Sequence, residues 1–117
     1  MKVSFDFDST LSKRKVQEIA KRFIDAGDDV YITTTRLEFI EEMGVGFSNS
    51  TLFLIAEEIG IPKENIRFTN YEDKVDYLND FDIHFDDDEY EIDLITRSEL
   101  SCLGILINYK NYYLDNQ

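Results

Sequence analysis

Residues 3–10 read VSFDFDST, a short apolar run that ends in two aspartates, Asp6 and Asp8. The alternation of apolar and polar residues over positions 3–7 predicts a β-strand. Side chains at i and i+2 point to the same face of a strand, so the two carboxylates would lie close together and repel each other. Such a pair is usually kept because a positive group lies beside it or because its members have different tasks.

Length and charge limit the class of protein. The length of 117 residues favours a single domain that spans residues 1–117. A hydrophobic share of 43% excludes a disordered composition. The net charge of −13 argues against direct nucleic-acid binding and requires a metal ion beside any phosphorylated substrate. The single cysteine, Cys102, excludes an internal disulfide, fits a reducing compartment, and has apolar neighbours that predict a core position.

Two absences concern location. The N-terminal residues have no secretory apolar region, and no apolar run approaches the ~18 residues of a membrane-spanning helix. We therefore expect a cytoplasmic protein without a membrane partner.

Strand and helix patterns alternate along the chain. This alternation predicts an α/β fold, namely a three-layer sandwich with a mostly parallel sheet. Residues 36–48 are expected to form a loop, and the tyrosine-rich tail 108–117 a packed edge or interface. The predicted strands are 3–7, 30–33, 65–68, 83–85 and 103–107, the last of them buried; the predicted helices are 12–26, 50–59, 71–78 and 90–96.

Polar side chains follow three of these strands at the point where each strand ends. In open parallel sheets, ligands bind beyond the carboxyl ends of the strands. Three separate clusters at equivalent positions predict a site there more strongly than any one of them. The clusters are Asp6 with Asp8, Thr34 with Arg36, and Asp86 with Asp87.

The residue types at this edge suit phosphoryl chemistry. Carboxylate oxygens are ligands of Mg²⁺, and a carboxylate can attack phosphorus as a nucleophile. A second carboxyl group can protonate the leaving group and later activate water. Lys74, on the predicted third helix, and the hydroxyl of Thr34 could stabilise the transferred oxygens.

In this order the motifs resemble those of the haloacid dehalogenase (HAD) superfamily of phosphohydrolases. VSFDFDST at 3–10 is similar to the first family motif, hhhhDxDx(T/S). VYITTTR at 30–36 is similar to the second, an apolar strand that ends in Thr or Ser. Lys74 is the candidate for the third motif, and IHFDD at 83–87 resembles the fourth, an apolar strand that ends in paired acids.

The resemblance implies a Mg²⁺-dependent phosphatase, a phosphoric monoester hydrolase that forms an aspartyl-phosphate. Asp6 would be the nucleophile and Asp8 the acid and base. Thr34 and Lys74 would also be catalytic and, together with Arg36, would bind the phosphorylated substrate.

The resemblance also implies a magnesium site. Its ligands would be the side chain of Asp6, the backbone carbonyl of Asp8, and a carboxylate of Asp86 or Asp87. These roles would account for the acidic pair Asp6 and Asp8: one carboxylate would attack, the other would move protons, and a cation would lie beside them.

The chain departs from the family in two features. A first helix that begins near Ser12 leaves no room for the usual flap, and no insertion between Arg36 and Lys74 is long enough for a cap domain. Capless members often act on large substrates or use a partner protein as a lid. The missing flap also supports an alternative, a catalytically degenerate HAD-like acidic domain that serves as a metal-binding or protein-interaction module.

Several single-residue interpretations stay open in the sequence. Lys63 is a rival of Lys74, and the neighbouring threonines leave the register of Thr34 open. Arg36 also fits a surface ion pair. His84 lies inside the fourth predicted strand and is interpreted as a packed histidine rather than a metal ligand.

Overall fold

The computed structural model describes residues 1–40, 44, 46 and 48–108. Five parallel strands form one sheet in the order β3-β2-β1-β4-β5, with helices on both faces, which is a Rossmann-like α/β sandwich. The α/β class and the parallel sheet predicted from the sequence are confirmed. The elements are β1 Lys2–Phe5, α1 Arg14–Asp25, β2 Asp29–Thr34, α2 Ser50–Ile59, β3 Ile66–Phe68, β4 Ile83–Asp86, α3 Glu89–Arg97 and β5 Leu103–Leu106.

The two faces of the sheet differ in character. On one face, Phe5 of β1 and Phe85 of β4 stack with ring centroids 4.7 Å apart, and α1 and α2 cover them. On the other face, α3 and the segment before β4 cover a smaller apolar cluster, which contains the predicted core residue Cys102. Because side chains alternate along a strand, Ser4 and His84 lie on this second face.

Helix α2, Ser50–Ile59, has the bounds that the sequence predicted. The helix stops at Gly60, whose φ of 95° is the left-handed conformation that glycine adopts without steric penalty. Asn49 occupies the N-cap position, but its side chain does not cap the helix. The Asn49 amide instead donates to the carbonyls of Leu37 and Glu38 and anchors the chain that follows β2.

The predicted third helix over residues 71–78 is wrong. Only Lys74–Tyr77 are helical, and they form a single 3₁₀ turn. Asn70 and Tyr71 have φ of 54° and 71°, which no helix accommodates, and the Tyr71 N–H donates to the carbonyl of Thr35. In such a helix the spacing of Tyr71, Val75 and Leu78 would place Tyr71 on the inner side, but it is exposed.

Strand β5 is a half-buried edge strand, so the prediction that it is buried is wrong. It pairs with β4, and the side chains of Leu103 and Leu106 are exposed. The prediction for the tail falls on residues that lie, from position 109 on, outside the described part of the chain.

The connections bear on access to the site. Between Asp6 and α1 the chain makes one wide turn, Phe7–Leu11, closed by hydrogen bonds from Leu11 N to Asp6 O and from Ser12 N to Phe7 O. This turn leaves no room for a flap. Of the residues described, no helix is both long and apolar enough to span a membrane.

Candidate active site

Three neighbouring strands bring acidic and hydroxyl side chains to one edge of the sheet. Asp6 follows β1, Thr34 ends β2 and Asp86 ends β4. The chain winds outward from β1 to β3 and then crosses to β4 on the other side of β1, so the order of the strands reverses between β1 and β4. Ligand sites in open α/β sheets lie at this kind of reversal.

Lys74 joins two of the acids. Its Nζ lies 2.7 Å from Oδ1 of Asp6 and 2.6 Å from Oδ2 of Asp86, and all three side chains are buried. The rival lysine, Lys63, is exposed and lies over the ring of Phe53. The structure therefore brings Lys74, and not Lys63, to the acids.

A third acid completes a candidate metal site. Oxygen atoms of Asp6, Asp86 and Asp87 lie within 4.8 Å of one another, and Asp87 is only half-buried. The hydroxyl of Thr10 lies 3.2 Å from both Asp6 Oδ2 and Asp87 Oδ1. Three carboxylates with an approach from solvent form a donor set that fits Mg²⁺.

The buried acids titrate differently. Burial raises the pKa of Asp6 to about 8, against the charge of Lys74 and with further contributions from Asp86 and Asp87. Burial also acts on Asp86, but hydrogen bonds from His84 and the charge of Lys74 hold its pKa below the ordinary value. Burial opposes the charged form of Lys74, and the two carboxylates outweigh it and raise the pKa of the ammonium group. In the metal-free site, burial therefore favours the protonated form of Asp6, beside the lysine cation and an Asp86 that stays ionised more readily.

The proton on Asp6 makes the stability of the metal-free protein depend on pH. Between pH 3.8 and about pH 8, Asp6 in the folded protein retains a proton that it releases in the unfolded chain. The contribution of Asp6 to the free energy of unfolding should fall as pH rises through this window, by at most about 1.4 kcal/mol per pH unit. Urea denaturation at pH 5, 6, 7 and 8 checks this, with Asp6→Asn as the reference that lacks the proton. Equal slopes for the two proteins would refute it.

Asp8 does not join the acid cluster. Its carboxylate accepts hydrogen bonds from Nε (3.0 Å) and Nη2 (2.7 Å) of Arg36, and it is 60% exposed. The prediction that Asp8 and Arg36 lie at the same edge of the sheet holds, but the two residues contact each other.

Thr34 is the threonine at the strand end, as the sequence suggested. Its buried hydroxyl accepts a hydrogen bond from the backbone N–H of Arg36 at 3.3 Å. The hydroxyl of Thr33 lies on the opposite face, 2.7 Å from that of Ser4. The register is therefore the one that places Thr34, and not Thr33, beside the loop that carries Arg36.

Three buried polar side chains, those of Asp86, His84 and Ser4, contact one another in a row and support the site. The sequence predicted only a packed histidine at position 84. His84 lies 2.8 Å through Nε2 from Asp86 Oδ2 and 3.0 Å through Nδ1 from the hydroxyl of Ser4. Burial lowers the pKa of His84, which favours the neutral ring. A neutral ring with its proton on Nε2 donates to the Asp86 carboxylate, which can only accept, so His84 orients Asp86.

Glu91 supports Lys74 in a comparable way. This buried carboxylate on α3 accepts the backbone N–H of Lys74 at 3.0 Å, where the 3₁₀ turn begins. A signal for His84 and Ser4 was present in the sequence, since each lies two residues before an acid of the site and hence on the same face. Glu91 had no comparable signal, because α3 reaches Lys74 only in the folded chain.

We predict that His84→Leu lowers the free energy of unfolding by about 2 kcal/mol, since it removes one buried hydrogen bond from Asp86 and one from Ser4, which keep only Lys74 and Thr33 as side-chain partners among the described residues. Ser4→Ala should lower it less, because the ring retains its bond to the carboxylate. Chemical denaturation of both variants measures the difference. A His84→Leu protein as stable as the parent would contradict the supporting role.

Comparisons of the chain with protein-family models, curated proteins and solved structures found no match.

Proposed function

We propose that the protein is a Mg²⁺-dependent, HAD-like phosphatase that works through an aspartyl-phosphate on Asp6. The observation that supports this most is the convergence of Asp6, Lys74 and Asp86 from three distant parts of the chain onto one strand edge. An acidic pair on the surface would not need a buried lysine between its members.

The reaction would have two steps, formation of the aspartyl-phosphate and its hydrolysis. In the first, a carboxylate oxygen of Asp6 attacks the phosphorus atom of a phosphate monoester, the bond to the leaving oxygen breaks, and Asp8 gives its proton to that oxygen. In the second, Asp8 takes a proton from water, the water oxygen attacks the phosphorus atom, and the bond to Asp6 breaks. Inorganic phosphate leaves and both carboxyl groups return to their starting states.

The metal ion has a fitting set of ligands. Asp6, Asp86 and Asp87 would hold it, and a bound Mg²⁺ supplies neutralisation of the phosphoryl charge. Asp6 must be ionised to attack, and its proton in the metal-free protein is a consequence of burial. A cation among the three acids would favour the ionised form, so we expect the activity to depend on the metal.

Lys74 keeps the nucleophile in place. Its ammonium group contacts Asp6 and Asp86 together, and the hydrogen bond that its backbone N–H donates to Glu91 fixes the turn that carries it. A cation this close to the nucleophile also stabilises the oxygens of the transferred group.

Beryllium fluoride provides a direct test because it mimics a phosphoryl group on an aspartate. We expect Mg²⁺ alone to raise the Tm, Mg²⁺ with beryllium fluoride to raise it further, and p-nitrophenyl phosphate to be hydrolysed only with Mg²⁺. Absence of both the thermal shift and turnover across a panel of phosphate esters would overturn the proposal.

A second candidate function has one observation in its favour. In this structure Asp8 is held by Arg36 and Asp6 by Lys74, so both acids of the first motif are already engaged. That arrangement also suits a degenerate domain that binds a metal ion or a protein without turnover. Thermal stabilisation by Mg²⁺ with no hydrolysis of any ester would select this alternative.

A further inference from the structure

The ion pair between Asp8 and Arg36 lies at the rim of the proposed site. Both carboxylate oxygens of Asp8 accept hydrogen bonds from the guanidinium group, at 3.0 and 2.7 Å. A carboxylate held in this way cannot exchange a proton with a substrate oxygen. The pair therefore has to open in every turnover that uses Asp8 as acid and base.

Arg36 is the anchored partner of the pair. Its Nη1 donates to the side-chain oxygen of Asn49 at 3.2 Å and to the carbonyl of Ser48 at 3.3 Å, and its guanidinium carbon lies 5.1 Å from the centre of the Phe7 ring. Asn49 is fully buried.

Asp8 is the partner that can move. Its side chain is 60% exposed, against 22% for Arg36, and its described side-chain hydrogen bonds run to Arg36. An ion pair with this much solvent contact is weak, so rotation of Asp8 away from the guanidinium group meets little resistance. Opening the pair would leave Arg36 where it is and free two of its donors.

The freed donors would face the substrate. Arg36 is the second residue after β2, which neighbours β1, and its present partner is the second residue after Asp6. Parallel N–H groups of arginine match carboxylates and phosphates in a two-pronged geometry. In a chain of charge −13, a fixed cation at the rim would select strongly for an anionic substituent.

We propose that Arg36 is a specificity-determining residue that binds a second anionic group of the substrate, in the position that Asp8 occupies in this structure. The preferred substrates would be phosphate monoesters that carry a further carboxylate or phosphate beside the ester that is cleaved. Binding of the second anion would release Asp8 to act, so recognition and activation would be coupled. This inference rests on the proposed phosphatase function and names its substrate class.

Matched substrate pairs test the inference. 3-Phosphoglycerate and glycerol 3-phosphate differ by a carboxylate in place of a hydroxymethyl group, and adenosine 3′,5′-bisphosphate and adenosine 5′-phosphate differ by one phosphate. In at least one pair, we expect the substrate with the second anionic group to have a kcat/KM at least tenfold higher than that of its counterpart, which corresponds to about 1.4 kcal/mol. A preference in one pair alone identifies the carboxylate or the phosphate as the second anion.

Arg36→Met should reduce the ratio of the two kcat/KM values within that pair to nearly one, mainly by raising KM for the substrate that carries the second anionic group. Arg97→Met is the matched control, because Arg97 is an exposed arginine on α3 that pairs with Asp93, and it should retain the preference. If Arg36→Met lowered kcat/KM equally for both substrates of the pair, Arg36 would only position Asp8, and the inference would be wrong.

The two proposals fail in distinguishable ways. Equal turnover within both pairs by the parent protein overturns the second-anion inference and leaves the phosphatase proposal intact. No turnover of any ester, with no response to Mg²⁺ and beryllium fluoride, overturns the phosphatase proposal and the inference with it.

Discussion

Asp6→Asn should abolish the hydrolysis of p-nitrophenyl phosphate and at the same time raise the stability of the metal-free protein. Loss of the nucleophile should lower kcat by at least about 10³-fold, as in other enzymes with covalent intermediates. The gain in stability follows from the pKa of about 8, since near pH 7.5 the folded site must either keep a proton on Asp6 or bury another charge.

An asparagine at position 6 reproduces the contacts of the protonated aspartate with Lys74 and Asp87, but its NH₂ group cannot accept from the hydroxyl of Thr10 as Asp6 Oδ2 does. Its oxygen can accept from Lys74 Nζ, as Asp6 Oδ1 does at 2.7 Å, and its NH₂ group can donate to Asp87. We expect a gain of about 1 kcal/mol at pH 7.5, equivalent to roughly 4 °C in Tm. The variant should also lose the additional stabilisation by Mg²⁺.

Asp93→Asn is the matched control for this variant, because Asp93 is exposed on α3 and lies outside the site. It should leave both the rate and the Tm unchanged. Calorimetry or thermal shift in the presence of a chelator, together with a rate assay in Mg²⁺, measures both effects on the same samples. An Asp6→Asn protein that hydrolyses the ester at the parent rate would disprove the mechanism.

The sequence was sufficient to locate the acids of the site, for a physical reason. Buried parallel strands are apolar runs, so the first charged residue after such a run marks the carboxyl end of a strand, and these ends share one edge of the sheet. Asp6 and Asp86 were found in this way, and the structure brings both to Lys74.

The sequence was insufficient where tertiary hydrogen bonds decide the backbone. Tyr71, Val75 and Leu78 have helical spacing, yet Thr35 on the neighbouring loop accepts the N–H of Tyr71. Asn70 and Tyr71 therefore adopt the left-handed backbone conformation before Lys74, and the predicted helix is reduced to one 3₁₀ turn. Periodicity describes which side chains are buried and carries no information on such long-range backbone bonds.

The choice of partners within the site could not be read from the sequence either. Asp6 and Asp8 are two residues apart, and strand alternation predicted that they would share a face. Strand β1 ends at Phe5, however, and the turn Phe7–Leu11 directs Asp8 to Arg36 instead. The alternation rule was applied beyond the end of the strand.

Lys74→Met should be the most destabilising single substitution among the site residues. It replaces the buried cation by an apolar chain of similar length and leaves Asp6 facing Asp86, with His84 as the remaining hydrogen-bond partner of Asp86 Oδ2. Removal of one member of a buried ion pair costs about 3–5 kcal/mol, because the other member stays buried without compensation. Urea denaturation in the presence of a chelator measures this loss.

Lys63→Met provides the matched control, because Lys63 is the exposed lysine that the sequence left as a rival, and its replacement should change stability by less than about 0.5 kcal/mol. The double variant Asp6→Asn/Lys74→Met should recover part of the loss, since it removes one of the two facing carboxylates. Mg²⁺ should stabilise Lys74→Met more than the parent, because the ion then supplies the only strong positive charge among the three acids. If Lys74→Met matched Lys63→Met in stability, with and without Mg²⁺, the buried lysine would not be balancing these carboxylates, and the electrostatic basis of the site would have to be abandoned.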